Sequence, residues 1–205
     1  MDMLPGQIHT IADAIDRHGW YTADDLLDPG LVGALADECL DMDTHAQLQP
    51  AHVGRGSKRR LAAALRGDRT RWLDESFSKV QADYLTHMLA LRDALNRRLF
   101  LGLHTFEAHY AVYPPGAHYD RHRDRFRDDD ARVLSTVLYL NRNWRPEHEG
   151  ALRLHLPDGS QHNILPVSGR MALFLSADIE HEVLAPRRER MSLAGWFRRN
   201  GPPFF

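Results

Sequence analysis

Two overlapping His-x-Asp pairs, His118–Tyr119–Asp120 and His122–Arg123–Asp124, stand near the middle of a chain with thirteen histidines. On an extended segment, side chains two apart point the same way. Either pair can therefore offer an imidazole and a carboxylate to one metal ion. A second histidine from a distant segment would complete a two-histidine, one-carboxylate set, which leaves coordination positions open and suits non-haem Fe(II) chemistry with O₂. Spacing alone does not choose between the two pairs.

A second group lies near the end. His181 opens the short segment His181–Glu182–Val183, and nine residues later Arg190 heads a strand-like run, Arg190–Met191–Ser192–Leu193–Ala194–Gly195–Trp196. Alternation places Arg190, Ser192, Ala194 and Trp196 on one face. A guanidinium on a mostly apolar face needs a partner, because burying an unpaired charge is expensive. A ligand carboxylate gripped bidentately is one partner, with Ser192 adding a hydroxyl hydrogen bond. Glu180, Glu182, Glu189 or solvent are the alternatives.

The elements that must position these residues change character along the chain. Apolar residues recur at helical spacing in the first half: Ile8, Ile11, Ala12 and Ile15, then Leu31, Ala34, Leu35 and Leu40. A longer helix is predicted over about Ser76–Arg98, with Val80, Tyr84, Met88, Leu91 and Leu95 on one face. The polar, glycine-containing stretch Ala51–Thr70 reads as a long loop with room for a short hairpin. From Phe106 onward short β-like runs take over: Thr105–Tyr113, Val133–Leu140, Ala151–Leu156, Gln161–Ile164, Arg170–Leu175, His181–Leu184 and Met191–Phe197. The charged run Arg121–Arg132 reads as a solvated loop. Helices followed by about seven strands predict an α+β domain with a double-stranded β-helix, or jelly-roll, core braced by N-terminal helices.

At 205 residues and 43% hydrophobic content, the length fits one domain. Residues 1–100 would be mainly helical support and a substrate loop, and 101–200 the jelly-roll core. A net charge of −2 gives no global reason to expect a nucleic-acid or membrane partner. Cys39 is the single cysteine, which excludes an intrachain disulfide framework and a cysteine-rich zinc site. Met1–Gly19 has no basic start followed by an apolar run, and no stretch of about 18 apolar residues occurs, so neither export signal nor transmembrane span is expected. A cytoplasmic location is the expectation.

Taken together, the pieces resemble the 2-oxoglutarate oxygenases related to the hypoxia-factor prolyl hydroxylases and their bacterial counterparts. The likeness runs from Arg66 to Phe197. It rests on Arg66–Gly67–Asp68 followed by Trp72, Tyr113–Pro114–Pro115–Gly116, Tyr119–Asp120–Arg121–His122–Arg123–Asp124, Val137–Leu138–Tyr139–Leu140–Asn141 with Trp144, Gly150–Ala151–Leu152–Arg153, and His181 with Arg190. In that pattern a tyrosine stands three residues before the first metal histidine, which selects His122 and Asp124. The resemblance implies iron on His122, Asp124 and His181, with 2-oxoglutarate and O₂ as co-substrates and ascorbate as a candidate accessory. It further implies Arg190 on the distal carboxylate of 2-oxoglutarate, with Tyr113, Leu152 and Trp196 lining the pocket. The strand face adds Ser192 to this set. The pattern departs where animal members have tyrosine at Leu138 and threonine at Ala194, and where a Gly-Gly pair is reduced to Gly150–Ala151.

For substrate, the resemblance points to a proline in a protein or peptide, and in a bacterial relative to a translation component such as elongation factor Tu. Tyr119, Arg132, Asp68 and Trp72 fall where substrate contacts are expected, the last two in and beside the covering loop Gly54–Arg71. Two rivals remain: an oxygenase acting on a small molecule or another residue type, and a catalytically silent jelly-roll binding module. Ligating histidines must be unprotonated, so metal loading is expected to fail well below the ordinary histidine pKa of about 6.5.

Overall fold

The computed structural model describes residues 5–53, 60–61, 65–124 and 131–199. Helix α1 (Pro5–His18) leads to strand β1 (Trp20–Ala23) and helix α2 (Pro29–Thr44). Strands β2 (Gln49–Pro50), β3 (His52–Val53), β4 (Arg60–Leu61) and β5 (Arg69–Trp72) precede helix α3 (Lys79–Leu99). Eight strands follow: β6 (Thr105–Tyr113), β7 (Tyr119–His122), β8 (Arg132–Tyr139), β9 (Leu152–His155), β10 (Gln161–Ile164), β11 (Met171–Leu175), β12 (Glu180–Val183) and β13 (Arg190–Arg198). A seven-stranded sheet has the order β1-β11-β8-β13-β6-β5-β2, and a four-stranded sheet the order β10-β9-β12-β7. The pairings are antiparallel throughout. This is the expected α+β architecture with a double-stranded β-helix core.

Alternation on the large sheet divides its side chains between two cores. Tyr110, Val112, Leu134, Leu138, Met171, Leu173, Leu193 and Phe197 turn outward to the helices. Ala111, Tyr113, Tyr139, Ala172 and Phe174 turn inward, where Leu152, Leu154, Ile164 and Val183 of the small sheet meet them. The helices start where local chemistry sets them. Asp28 accepts from Gly30 N (2.9 Å) and Leu31 N (3.2 Å) at the head of α2, and Pro29 occupies the first turn. Ser78 caps α3 by accepting from Gln81 N at 3.1 Å. Glu38 on α2 then accepts from Gln81 Nε2 (2.7 Å) and Tyr110 Oη (2.9 Å), tying both helices to β6. No described helix is long and apolar enough to cross a membrane.

The α1 stripe and most of the α3 stripe are buried as expected, but α2 is turned differently. Its buried face is Val32, Leu35, Ala36, Cys39 and Met42, whereas Leu40 is 47% exposed. The small Ala36 and Cys39 complete a helical stripe that the bulkier leucines hide. The first hundred residues also contribute β1, β2 and β5 to the large sheet, beyond the helical support expected of them. These strands have two to four residues, and β5 (Arg-Thr-Arg-Trp) lacks apolar alternation. The stretch read as a loop does contain a short hairpin, β3 with β4; residues 54–59 and 62–64 lie outside the described residues. So do 125–130 within the charged run, whose start belongs to β7 and whose end opens β8.

Gly195 lets β13 pass under an aromatic ring. A Cβ there would meet Phe106 Cζ at 2.5 Å and Thr136 Oγ1 at 3.0 Å. Gly195→Ala is expected to lower stability by about 1–3 kcal/mol through overpacking. Urea melts would show this, and adding Phe106→Leu should recover part of the loss.

Candidate active site

His122 ends β7 and His181 lies on β12, and the two are directly paired across the small sheet. Asp124 follows two residues after His122, in a bend beyond the strand. One donor atom from each of the three lies within 4.8 Å of the others. His122 Nε2 is 3.7 Å from Asp124 Oδ1, and His181 Nε2 is 3.5 Å from Asp124 Oδ2. His122 Nδ1 donates to the Asp120 carbonyl at 2.7 Å, and His181 Nδ1 to the Ile179 carbonyl at 3.4 Å. A carbonyl only accepts, so each ring has a proton on Nδ1, and the neutral tautomer so fixed has its Nε2 lone pair on the cluster side. The other pair does not join it: His118 Nε2 contacts Asp120 Oδ1 at 3.3 Å with both side chains about half exposed.

Protonation suits a cation. Burial pulls His181 down to about 4, partly offset by Asp124. Burial raises the Asp124 carboxyl, but His181, His122 and Arg132 together outweigh it and hold the group well below the usual carboxylate range. Asp124 is thus ionised and His181 neutral at neutral pH. His181 therefore resists protonation to well below the ordinary histidine range.

Arg190 is 1% exposed and stands on the inner face of β13, opposite Tyr113 on β6. Its Nε donates to Gly150 O at 2.8 Å and its Nη1 to Ser192 Oγ at 3.3 Å. The guanidinium lies over the rings of Tyr113 (5.2 Å) and Tyr139 (5.1 Å). Nη2 and the Tyr139 hydroxyl are buried without a hydrogen-bond partner among the described residues. The glutamates that could have neutralised Arg190 are engaged elsewhere: Glu180 with Arg121 and Arg123, Glu182 with Arg153 and His155, and Glu189 with Arg69. A buried cation with an unfilled donor fits a ligand carboxylate. Leu152, 1% exposed, belongs to the apolar cluster around Tyr113 and Tyr139. The departure assigned to Leu138 is corrected here: Leu138 faces the helices, and its neighbour Tyr139 is the tyrosine beside Arg190. Strand alternation could have found this.

Further along the same face of β13, Trp196 sits beside His109 (ring centroids 5.4 Å) and Trp72 (6.1 Å), with Arg132 3.6 Å above its ring. Trp196 therefore stands three inward positions from Arg190, nearer the metal donors' end of the strand. Arg132 is held by Glu107 at 2.9 Å, and Glu107 also accepts from Arg198 at 3.1 Å. Asp68 is 2% exposed and both its oxygens accept from Arg66, at 2.6 and 2.9 Å, so it stands behind the surface instead of on it. Arg66 in turn covers the Tyr119 ring at 4.7 Å, and Tyr119 stacks on His122 at 3.7 Å. Trp72 is 40% exposed and edge-on to His109 at 5.0 Å. Arg66, His109, Tyr139, Ser135 and Ser176 are site residues that sequence reasoning did not single out.

Residues 108–198 match the family model of the 2OG-Fe(II) oxygenase superfamily. The structure is similar to that of a Pseudomonas putida prolyl-4-hydroxylase, with 46% identity and TM-score 0.86, covering 95% of this chain and 100% of that one. A Trichoplax adhaerens prolyl hydroxylase, solved with a hypoxia-inducible-factor oxygen-degradation-domain peptide, shares the fold at 20% identity and TM-score 0.83, covering 95% of this chain and 90% of that one. Human prolyl hydroxylase EGLN3 is 30% identical over 144 residues, 65% of this chain and 59% of the relative's length. The chain belongs to the 2OG-Fe(II) oxygenase superfamily. Its donor set and its buried, carboxylate-seeking arginine fit the Fe(II) and 2-oxoglutarate of that family.

Two buried histidines give the metal-free protein a definite pH response. His181 and His109 are both pulled down to about 4, chiefly by burial, while in the unfolded chain each titrates near 6.5. The unfolded state therefore binds protons first as pH falls. The folded state should be fully favoured above about 6.5 and lose up to about 1.4 kcal/mol per pH unit for each histidine between there and 4. Urea midpoints at pH 7, 6 and 5 should show the decline, and His109→Gln should reduce its slope.

Proposed function

We propose that the chain is a prolyl hydroxylase acting on a proline within a protein or peptide, with Fe(II) held by His122, Asp124 and His181. The observation that carries this reading is the pairing of a three-donor cluster with a buried arginine whose Nη2 has no partner among the described residues. Fe(II) and 2-oxoglutarate, when bound, supply the activation of O₂ and the insertion of one oxygen atom into a C–H bond, with succinate and CO₂ as the other products.

The protein's own part is binding, orientation and exclusion of water. His122, neutral His181 and ionised Asp124 present three donor atoms to one point. Arg190 binds the distal carboxylate of 2-oxoglutarate, with Nη2 as its free donor, the Tyr139 hydroxyl as a second, and Ser192 fixing the guanidinium. Tyr113 and Leu152 wall the co-substrate off from solvent, and Trp196 lines the site between Arg190 and the metal. In this low-dielectric setting one charge-assisted contact counts for more than in water.

The substrate surface is the Trp72, Tyr119 and Arg66 rim, with Asp68 bracing Arg66 and Arg132 bracing Trp196. A partly exposed tryptophan beside His109 and Trp196 offers a flat ring to a proline ring, and it favours an extended polypeptide over a free amino acid. Elongation factor Tu, suggested by the resemblance to bacterial members, is the first protein to test.

Anaerobic addition of Fe(II) and 2-oxoglutarate should give the weak visible band of their chelate in wild type and in His118→Ala, and no band in His122→Ala. Arg190→Met should weaken 2-oxoglutarate roughly 10- to 100-fold, the effect of losing a hydrogen-bonded charge contact of about 1.5–3 kcal/mol. Mass analysis of elongation factor Tu, a proline peptide and free L-proline after turnover should find oxygen added to a polypeptide. Oxidation of free proline alone would shift the reading to a small-molecule oxygenase.

A further inference from the structure

Behind Asp124 two serines are shut away from solvent: Ser135 is 1% exposed and Ser176 0%. Ser135 lies on β8, in the interior of the large sheet, where it pairs with Phe174 on one side and Trp196 on the other. Ser176 follows β11, and its backbone N–H donates to Val133 O at 3.0 Å. Both hydroxyls are therefore carried by backbone that the large sheet holds fixed.

Ser135 Oγ is 2.7 Å from Asp124 Oδ2 and 2.8 Å from Ser176 Oγ. A hydroxyl has one proton to donate, and a ligating carboxylate has none. Ser135 must therefore donate to Asp124, which leaves Ser176 as the donor to Ser135. The chain of hydrogen bonds has a single direction, Ser176 to Ser135 to Asp124.

Asp124 needs such support more than its fellow donors do. His122 and His181 sit within paired strands and each is steered by a carbonyl. Asp124 lies in a bend past the end of β7, where no ladder fixes its backbone. The hydrogen bond from Ser135 occupies Oδ2, holds the carboxylate plane, and leaves Oδ1 without a serine contact.

We infer that Ser135 and Ser176 are positioning residues, a one-way relay that sets the Asp124 carboxylate for ligation through one oxygen and thereby sets metal affinity. This rests on the reading of His122, Asp124 and His181 as the ligands. Partners one step removed from a metal commonly contribute 10- to 100-fold in affinity.

Co(II) is a suitable probe because it takes the same kind of donors and its visible bands report their geometry. Its affinity and spectrum are to be measured in metal-free wild type, Asp124→Ala, Ser135→Ala, Ser135→Thr and Ser176→Ala, with melting temperature recorded for each. Ser135→Ala should weaken Co(II) about 10- to 100-fold and move the bands. Ser176→Ala should do the same to a smaller extent, and Ser135→Thr, which keeps the hydroxyl, should restore both. Wild-type affinity and bands in Ser176→Ala and Ser135→Ala, with loss in Asp124→Ala, would overturn the relay and leave the ligand reading intact. If Asp124→Ala binds Co(II) as wild type does, the ligand reading fails and the relay with it. Should Ser135→Ala not fold, Ser176→Ala decides the matter.

Discussion

The cross-strand pairing of His122 with His181 is the constraint from which the site follows. These residues are 59 positions apart, and antiparallel register between β7 and β12 brings them face to face at the end of the small sheet. A slip of one residue would turn one imidazole to the opposite face. The register is defended from the other side as well, because β12 also pairs with β9 through four consecutive residues. Leu152 and Leu154 of β9 and Val183 of β12 are buried in the inner core, so moving the histidine would expose them. Hydrophobic burial thus fixes a polar constellation.

Much of this was legible because alternation is a strong signal on well-paired strands. The inner face Arg190, Ser192, Ala194, Trp196 can be written down from the sequence and is what the large sheet presents. Less legible were elements whose existence depends on partners: β5 is polar, short and held by β6, so nothing local announces it. The α2 face was misjudged because Leu40 is exposed while Ala36 and Cys39 are buried. Assigning Leu138 in place of Tyr139 has a different origin, since two adjacent residues on a strand belong to opposite cores. The partners of Arg190 could not be chosen from sequence either; it takes three dimensions to see that Glu180, Glu182 and Glu189 are already committed to other cations.

The rim shows how charges can line a reaction site without competing for it. Arg66 is matched by Asp68, and Arg132 and Arg198 share Glu107. Each guanidinium that is also laid on an aromatic ring, Arg66 on Tyr119 and Arg132 on Trp196, stiffens a ring close to the donors. Arg132 also favours the ionised form of Asp124. Arg190 differs from them, held by a carbonyl and a hydroxyl with no carboxylate partner among the described residues.

That carbonyl belongs to Gly150, whose φ of +71° and whose missing Cβ, which would lie 2.8 Å from Pro186 Cβ, leave no room for a side chain. The arginine is thus anchored to main chain that no substitution at position 150 can retune without strain. Variation in the space before Arg190 is channelled to Ser192, Leu152 and Ala194. The lineage can redesign the walls around this guanidinium far more freely than the post to which it is tied.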